Sequence, residues 1–256
     1  MEFNTLHYSK KEAVALVTMN RPEVLNAMNR QLWNDMQAAL EDARSDPQTK
    51  VVVFTGEGRA FSSGADLKES KTRSAEDYRE YLESLQQVSR SIIRFPKPTI
   101  AAINGFALGS GYELALACDI RIAAHEAQIG SPEARVSSSV TGGAFRLLQD
   151  LVGPGKAKEL LFTAAPIDGR EAERIGLVNA SVPKERLMDE AIAMAKRIAE
   201  NDLFSLKMIK KGLGLAQAEV SLEALMDFEI EACLACVSTR TRRTALDQFE
   251  KRKQKE

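Results

Sequence analysis

Histidine, cysteine and aromatic residues are scarce in this chain of 256 residues, and each shortage closes off a kind of chemistry. His7 and His125 are the only histidines, too few for a zinc site or a histidine-based nucleophilic triad, so no metal is expected. The three cysteines, Cys118, Cys233 and Cys236, do not make a disulfide framework. Cys233 and Cys236 form a CxxC, but they fall in a helical pattern with no further Cys or His beside them, which reads as structural. No apolar run approaches the length of a membrane span. The first residues, MEFNTLHYSKKEAV, lack a signal-peptide core and an arginine-rich transit pattern, so the expectation is a cytoplasmic protein with no membrane partner. A net charge of −1 gives no electrostatic footprint for nucleic acid, and the basic ending KRKQKE reads as a solvated helix end.

What the chain does have is a short apolar run that breaks at glycines and restarts as a helix, PTIAAINGFALGSGYELALACD from Pro98 to Asp119. The β-branched and alanine run Thr99–Ile103 reads as a buried parallel strand, ended by Asn104-Gly105. Gly109-Ser110-Gly111 leads into strong helix formers, so a helix begins near Ser110 and stops at Asp119. Its first N–H groups lack intrahelical acceptors and lie at the positive end of the macrodipole, where an anion or a developing oxyanion can be held. Glu113 stands in the first turn. Taken alone, the stretch is also explained as a tight packing turn with a dipole-stabilising glutamate, and the two readings stay open on these residues.

Along the rest of the chain, Asn4–Tyr8 and Ala13–Met19 read as a hairpin around Ser9–Glu12, and Asn29 caps a helix to Arg44. Val51–Thr55 is a second buried strand, followed by GEGRAFSSGADLKES at 56–70. Its glycines miss the dinucleotide fingerprint, because Phe61 stands at the third glycine position, and Gly153-Pro154-Gly155-Lys156 is no phosphate-binding Walker loop. Ser74 with Asp77 resembles a capping box for a helix to Ile93. Ile120–Ala124, Ala127–Ile129 and Leu177–Val182 are short strands, Pro154 starts a helix to Thr163, and Asp168 caps another. From Pro183 onward the pattern is nearly all helix, over roughly 202–213, 220–237 and 240–252. The order is one of repeated strand, strand, helix units with a helical tail.

The segments NRPEVLNAMN at 20–29, AFSSGADLKE at 60–69, AAINGFALGSGYELALACDIRIA at 101–123 and GSPEARV at 130–136 resemble the crotonase family, the enoyl-CoA hydratases and isomerases. That resemblance implies an α/β crotonase fold, a spiral of ββα units. It implies an acyl-CoA-binding core over 1–200 and a C-terminal helical region over 201–256 that packs homotrimers or homohexamers. By the family pattern, Ala65 and Ser110 supply the two backbone N–H groups of an oxyanion hole for the thioester carbonyl. Family members commonly carry glycine where Ser110 stands, and a main-chain donor survives that change. Val24, Leu25, Gly64, Ala65, Asp66, Leu67, Lys68 and Gly109 match positions that line the CoA site; Asp66 is equally explained as a brace for its loop and Lys68 as a solvated side chain. Hydratases of the family use two glutamates, and both positions are glutamate here, Glu113 to activate water and Glu133 to protonate C2. The implied function is syn hydration of an enoyl-CoA thioester, with no cofactor because coenzyme A is part of the substrate. The alternatives are isomerisation, cyclic-diene hydration or thioester hydrolysis. RNA binding, known in some members, is disfavoured by a helix over 29–44 with only Arg30 and Arg44 as basic residues.

One segment departs from the family pattern. After Glu133 the usual proline is missing and one residue is absent before the paired glycines, leaving Ala134-Arg135-Val136-Ser137-Ser138-Ser139-Val140-Thr141-Gly142-Gly143. Two expectations follow. Either the hydroxyls make the acyl pocket more polar and favour a short polar, branched or cyclic acyl group, or they only cap the next helix.

Overall fold

Alternating apolar residues bring Leu6–Lys11 (β1) and Val14–Met19 (β2) together as an antiparallel hairpin. The turn is tighter than the sequence reading: Lys11 pairs with Val14, so only Glu12 and Ala13 lie between the strands, Glu12 at φ 56°. Ser9–Lys11 extend β1 because it is an edge strand whose later side chains are exposed and tolerate lysine. The computed structural model describes residues 2–70, 75–218, 220–237 and 242. By contact density the chain divides into Met1–Ile198 and Ala199–Glu256.

In the first unit, Asn29 caps Arg30–Ser45 (α1) as expected, its side chain accepting from Leu32 N at 2.9 Å. At the other end the Lys97 ammonium, 1% exposed, donates to Ala43 O at 2.6 Å and Asp46 O at 2.7 Å, where a cation suits the negative end of the dipole. Val51–Gly56 (β3) is buried throughout, as its unbroken apolar run requires. Ala60–Ser62 (β4), Leu67–Ser70 (α2) and Ala75–Ile93 (α3) follow. Ser74, half of the expected capping box, lies outside the described residues, as do all but one of 240–252. Thr99–Ile103 (β5), fully buried, leads to Phe106–Leu108 (β6) and Ser110–Ala117 (α4). Ile120–Ala124 (β7), Ile129–Gly130 (β8) and Ala144–Thr163 (α5) come next. Gly153, at φ 78° and ψ 161°, breaks α5, so that Pro154 opens its second half. Gly169–Arg174 (α6), Ala180–Val182 (β9) and Leu187–Ala199 (α7) complete the unit.

The strands form two sheets, one ordered β1-β2-β3-β5-β7-β9 and one ordered β4-β6-β8. All neighbours except β1 and β2 are parallel. Each turn of the chain adds a strand to the larger sheet, a strand to the smaller one and then helix, as in β3-β4-α3, β5-β6-α4 and β7-β8-α5. This is the ββα spiral that the resemblance implies. β4 and β6 were not foreseen: three residues each, beside glycines, they lack a readable period.

Two buried asparagines hold the crossing between the sheets. Asn104 Nδ2 donates to Gly56 O at 2.8 Å and Gly58 O at 3.2 Å, while its Oδ1 accepts from Gly56 N at 3.2 Å. Asn26 Nδ2 donates to Ala60 O at 2.7 Å and Glu57 O at 3.0 Å. Close approach needs glycine here, because a Cβ at Gly56 would lie 2.1 Å from Ala60 O.

In the second unit, Asp202 Oδ2 accepts from Ser205 N at 2.9 Å and caps Leu203–Gln217 (α8); Leu222–Val237 (α9) carries both Cys233 and Cys236, neither of them in a disulfide among the described residues. Ile209, Leu213, Leu222, Met226, Ile230 and Leu234 are exposed on these helices. Among the described residues no helix is long and apolar enough to cross a membrane.

Replacing Asn104 by alanine strands several buried backbone groups of the β3–β4 turn. The expected loss in unfolding free energy is about 2–3 kcal/mol, read from urea denaturation; an unchanged midpoint would show that the turn holds itself.

Candidate active site

Helix α4 is buried along nearly its whole length, and it reaches β4 because Gly111 has no side chain. A Cβ there would lie 2.3 Å from Ser62 O. Both ends are fixed. At the C-terminal end the Arg121 guanidinium, 5% exposed, donates to Cys118 O at 2.5 Å, Ala115 O at 3.4 Å and Leu177 O at 2.9 Å. Asp119 Oδ2 accepts from Thr99 N and Thr99 Oγ1, both at 2.8 Å, which ties the end of α4 to the start of β5. At the N-terminal end Gly109 adopts φ 53° and ψ −124°, a conformation open almost only to glycine.

The loop after β4 lies against this N-terminus. Gly64, at φ +102°, is packed so closely that a Cβ would lie 2.8 Å from Leu108 O and 3.3 Å from Ser110 N. The loop is held from behind by residues 25–28: Met28 N donates to Gly64 O at 2.8 Å, Asp66 N to Met28 O at 3.0 Å and Ser63 N to Leu25 O at 2.9 Å. Leu25 itself sits at φ 55°. The backbone N–H groups of Ala65 and Ser110 have no acceptor among the described residues. Two adjoining backbone segments thus bring the expected donors to one place, one of them at a helix N-terminus.

Asp66 braces this loop: its carboxylate accepts from Arg21 at 3.1 Å and from Lys68 N at 3.2 Å. Val24 is half-buried and the Lys68 side chain exposed, while the Leu67 side chain lies outside what is described. Arg21 was not foreseen as part of the site; the acid it pairs with is far along the chain.

Both glutamates meet at the same end of α4. Glu113 is 4% exposed, with Oε1 accepting from Thr141 N at 2.5 Å and Oε2 from Thr141 Oγ1 at 2.7 Å. Burial pushes its carboxyl above the usual carboxylate range, the two bonds from Thr141 pull it back, and the Glu133 charge adds to the rise. Glu133 stands in a 3₁₀ turn, Glu133–Val136, and its Oε2 accepts from Ser131 Oγ. A Cβ at Gly109 would lie 2.7 Å from Glu133 Oε1, which sets that carboxylate over the start of α4. The neighbouring Tyr112 phenol is pushed up chiefly by burial, with Arg121 opposing and both glutamates adding to the rise.

Of the two expectations for the segment that departs from the family pattern, helix capping is not met. The N-cap of α5 is Gly143, with no side-chain bond, so the hydroxyls do not cap that helix. Ser137, Ser138 and Ser139 are exposed, and Thr141 turns its hydroxyl to Glu113. Ser131, like Arg21, was not foreseen, and for Thr141 the sequence reading flagged the segment but not the contact with Glu113.

Among the described residues no cluster of three or more His, Cys, Asp or Glu side chains could hold a metal ion. What the geometry offers is a pair of fixed backbone donors for an oxyanion beside two carboxyl groups able to exchange protons.

The family described as enoyl-CoA hydratase/isomerase matches residues 9–256. A short-chain-enoyl-CoA hydratase of Clostridium acetobutylicum is 38% identical over 255 residues, covering 99% of this chain and 97% of that protein. A crotonyl-CoA hydratase of Syntrophomonas wolfei is 36% identical, covering 99% of this chain and 98% of that protein. Among solved structures, an enoyl-CoA hydratase from Bacillus anthracis superposes with a TM-score of 0.94 at 33% identity, covering 97% of each chain.

Gly109→Ala tests the geometry directly, since its Cβ strains the backbone and collides with Glu133. The expected cost is about 1–3 kcal/mol of stability, measured by thermal unfolding. An unperturbed melting curve would place Glu133 elsewhere.

Proposed function

This chain belongs to the enoyl-CoA hydratase/isomerase family, and on that premise we propose that it is an enoyl-CoA hydratase, adding water in the syn sense across the 2,3-double bond of an enoyl-CoA thioester. The observation that carries this reading is the convergence of Glu113 and Glu133 on the N-terminal turn of α4, beside the free N–H groups of Ala65 and Ser110. The thioester oxygen accepts from those two N–H groups, so that the negative charge of the enolate develops where fixed donors already point. Glu113 takes a proton from water as its oxygen bonds to C3, and Glu133 delivers a proton to C2. One proton then passes from Glu113 back to Glu133, directly or through solvent, and the pair is reset. No cofactor enters this scheme; coenzyme A arrives as part of the substrate, against Val24, Leu25, Gly64, Asp66, Leu67, Lys68 and Gly109.

The names of the relatives support a short enoyl-CoA such as crotonyl-CoA as the substrate. The test follows the loss of crotonyl-CoA absorbance in water. Glu113→Gln and Glu133→Gln are each expected to slow hydration by at least about 10²–10⁴-fold while thioester binding persists, because binding rests on backbone donors. Near-normal turnover in either variant would remove the two-carboxylate mechanism.

The same reading takes the enzyme to be a cytoplasmic homotrimer or homohexamer assembled through the second unit. Its support is the exposed apolar face of α8 and α9, where Leu213, Met226 and Ile230 stand more than half exposed at 65%, 53% and 60%. Light scattering at micromolar concentration should give three or six chains per particle, and a monomer would overturn this assembly.

A further inference from the structure

We propose that Thr141 is a positioning residue for the base, its backbone N–H and its hydroxyl together fixing both oxygens of Glu113 and holding that group in the form that accepts a proton from water. The proposal rests on the reading of Glu113 as base and names the residue that makes a buried glutamate fit for that role.

The contact spans 28 positions of sequence and engages each carboxylate oxygen once, Oε1 from Thr141 N at 2.5 Å and Oε2 from Thr141 Oγ1 at 2.7 Å. A carboxylate offers about four acceptor sites, so two remain to receive a water O–H. The turn is shaped to aim these donors. Gly142 and Gly143 follow at φ 61° and 81°, and Ala144 N donates back to Thr141 O at 2.9 Å. A Cβ on Gly142 would lie 2.7 Å from Ser89 Oγ and 3.2 Å from Glu113 Cβ, so the backbone lies flush against the helix that carries the base. Threonine is stiff at χ1, which limits the orientations of its hydroxyl.

The surroundings otherwise work against an ionised Glu113. Burial favours the neutral acid, and Glu133, whenever it has given up its proton, acts in the same direction. From α4 itself the titratable neighbour is Tyr112, whose phenol burial keeps protonated. From α3 the side chain at this turn is Ser89, which carries no charge. Arg121 bonds carbonyls at the far end of α4. The two Thr141 bonds are therefore what opposes burial, and hydrogen bonds to the charged form of an acid favour that form. The hydroxyl is not used to cap α5, whose N-cap is Gly143 without a side-chain bond.

The experiment is the pH profile of kcat/KM for crotonyl-CoA hydration in the wild type, Thr141→Val and Thr141→Ser. Valine keeps the shape and the backbone N–H but removes the hydroxyl. A base that is harder to ionise loses its proton only at higher pH, so the acid limb should move upward by about one pH unit. Plateau kcat should fall with little change in KM, and serine should restore the limb. Thr141→Ala, which removes the hydroxyl with a smaller side chain, should give the same shift and serves if the valine variant does not fold. An acid limb coinciding with the wild type in either hydroxyl-free variant overturns the proposal. Glu113→Gln separates this outcome from failure of the underlying reading: full activity in that variant removes Glu113 as the base, whereas an inactive Glu113→Gln with an unmoved Thr141→Val limb removes only the role of Thr141.

Discussion

The site depends on one constraint, that two stretches of backbone approach more closely than side chains allow. Gly111 lets α4 lie on β4, and Gly64 lets the loop after β4 lie on the turn into α4. A methyl group at either point would meet a carbonyl oxygen, at 2.3 Å or 2.8 Å. The smaller sheet, β4-β6-β8, brings these stretches together because its strands end where the loops begin. The segment 25–28 holds the loop after β4 from outside, and Gly109 N donates to Gly130 O at 3.2 Å, so the positions of Ala65 and Ser110 are set by hydrogen-bonded backbone rather than by flexible side chains.

Against that fixed backbone stand two acids, Glu113 buried and Glu133 half-buried. Placing a carboxylate in a nearly dry position is costly, and a second one nearby raises the cost. Glu113 meets this with a donor from a segment 28 residues on, Thr141, while the half-buried Glu133 accepts from Ser131, two residues before it. Bonds of this kind to a charged group typically contribute about 1.5–3 kcal/mol. The helix contributes too, since its positive end faces the charges, while Arg121 neutralises the opposite end.

Much of this was legible in the residues themselves. β3 and β5 announced themselves as unbroken apolar runs, α4 as helix formers after glycines, and Asn29 and Asp168 as caps, each accepting from the N–H three residues on. Those signals are local. β4 and β6 were hidden because three residues between glycines define no period, and the hairpin turn was misplaced because lysines on an edge strand look like loop. Glu113 stood out in the first turn of α4, and the resemblance paired it with Glu133 and gave both their roles. The bond from Thr141 to Glu113 could not be found that way. It joins residues 28 apart, and only the left-handed glycines after it direct the chain to make it.

The borders of the six-stranded sheet have a consequence for how copies of the chain meet. One border is β1, which presents Lys10 and Lys11 to solvent, with Lys10 ion-paired to Asp42 at 2.8 Å and Asp46 at 2.9 Å; the other is β9, only three residues long. A newcomer strand seeking to extend the sheet finds charged side chains on one side and too little ladder on the other. Edge-to-edge pairing of copies is thereby disfavoured at both borders of this sheet.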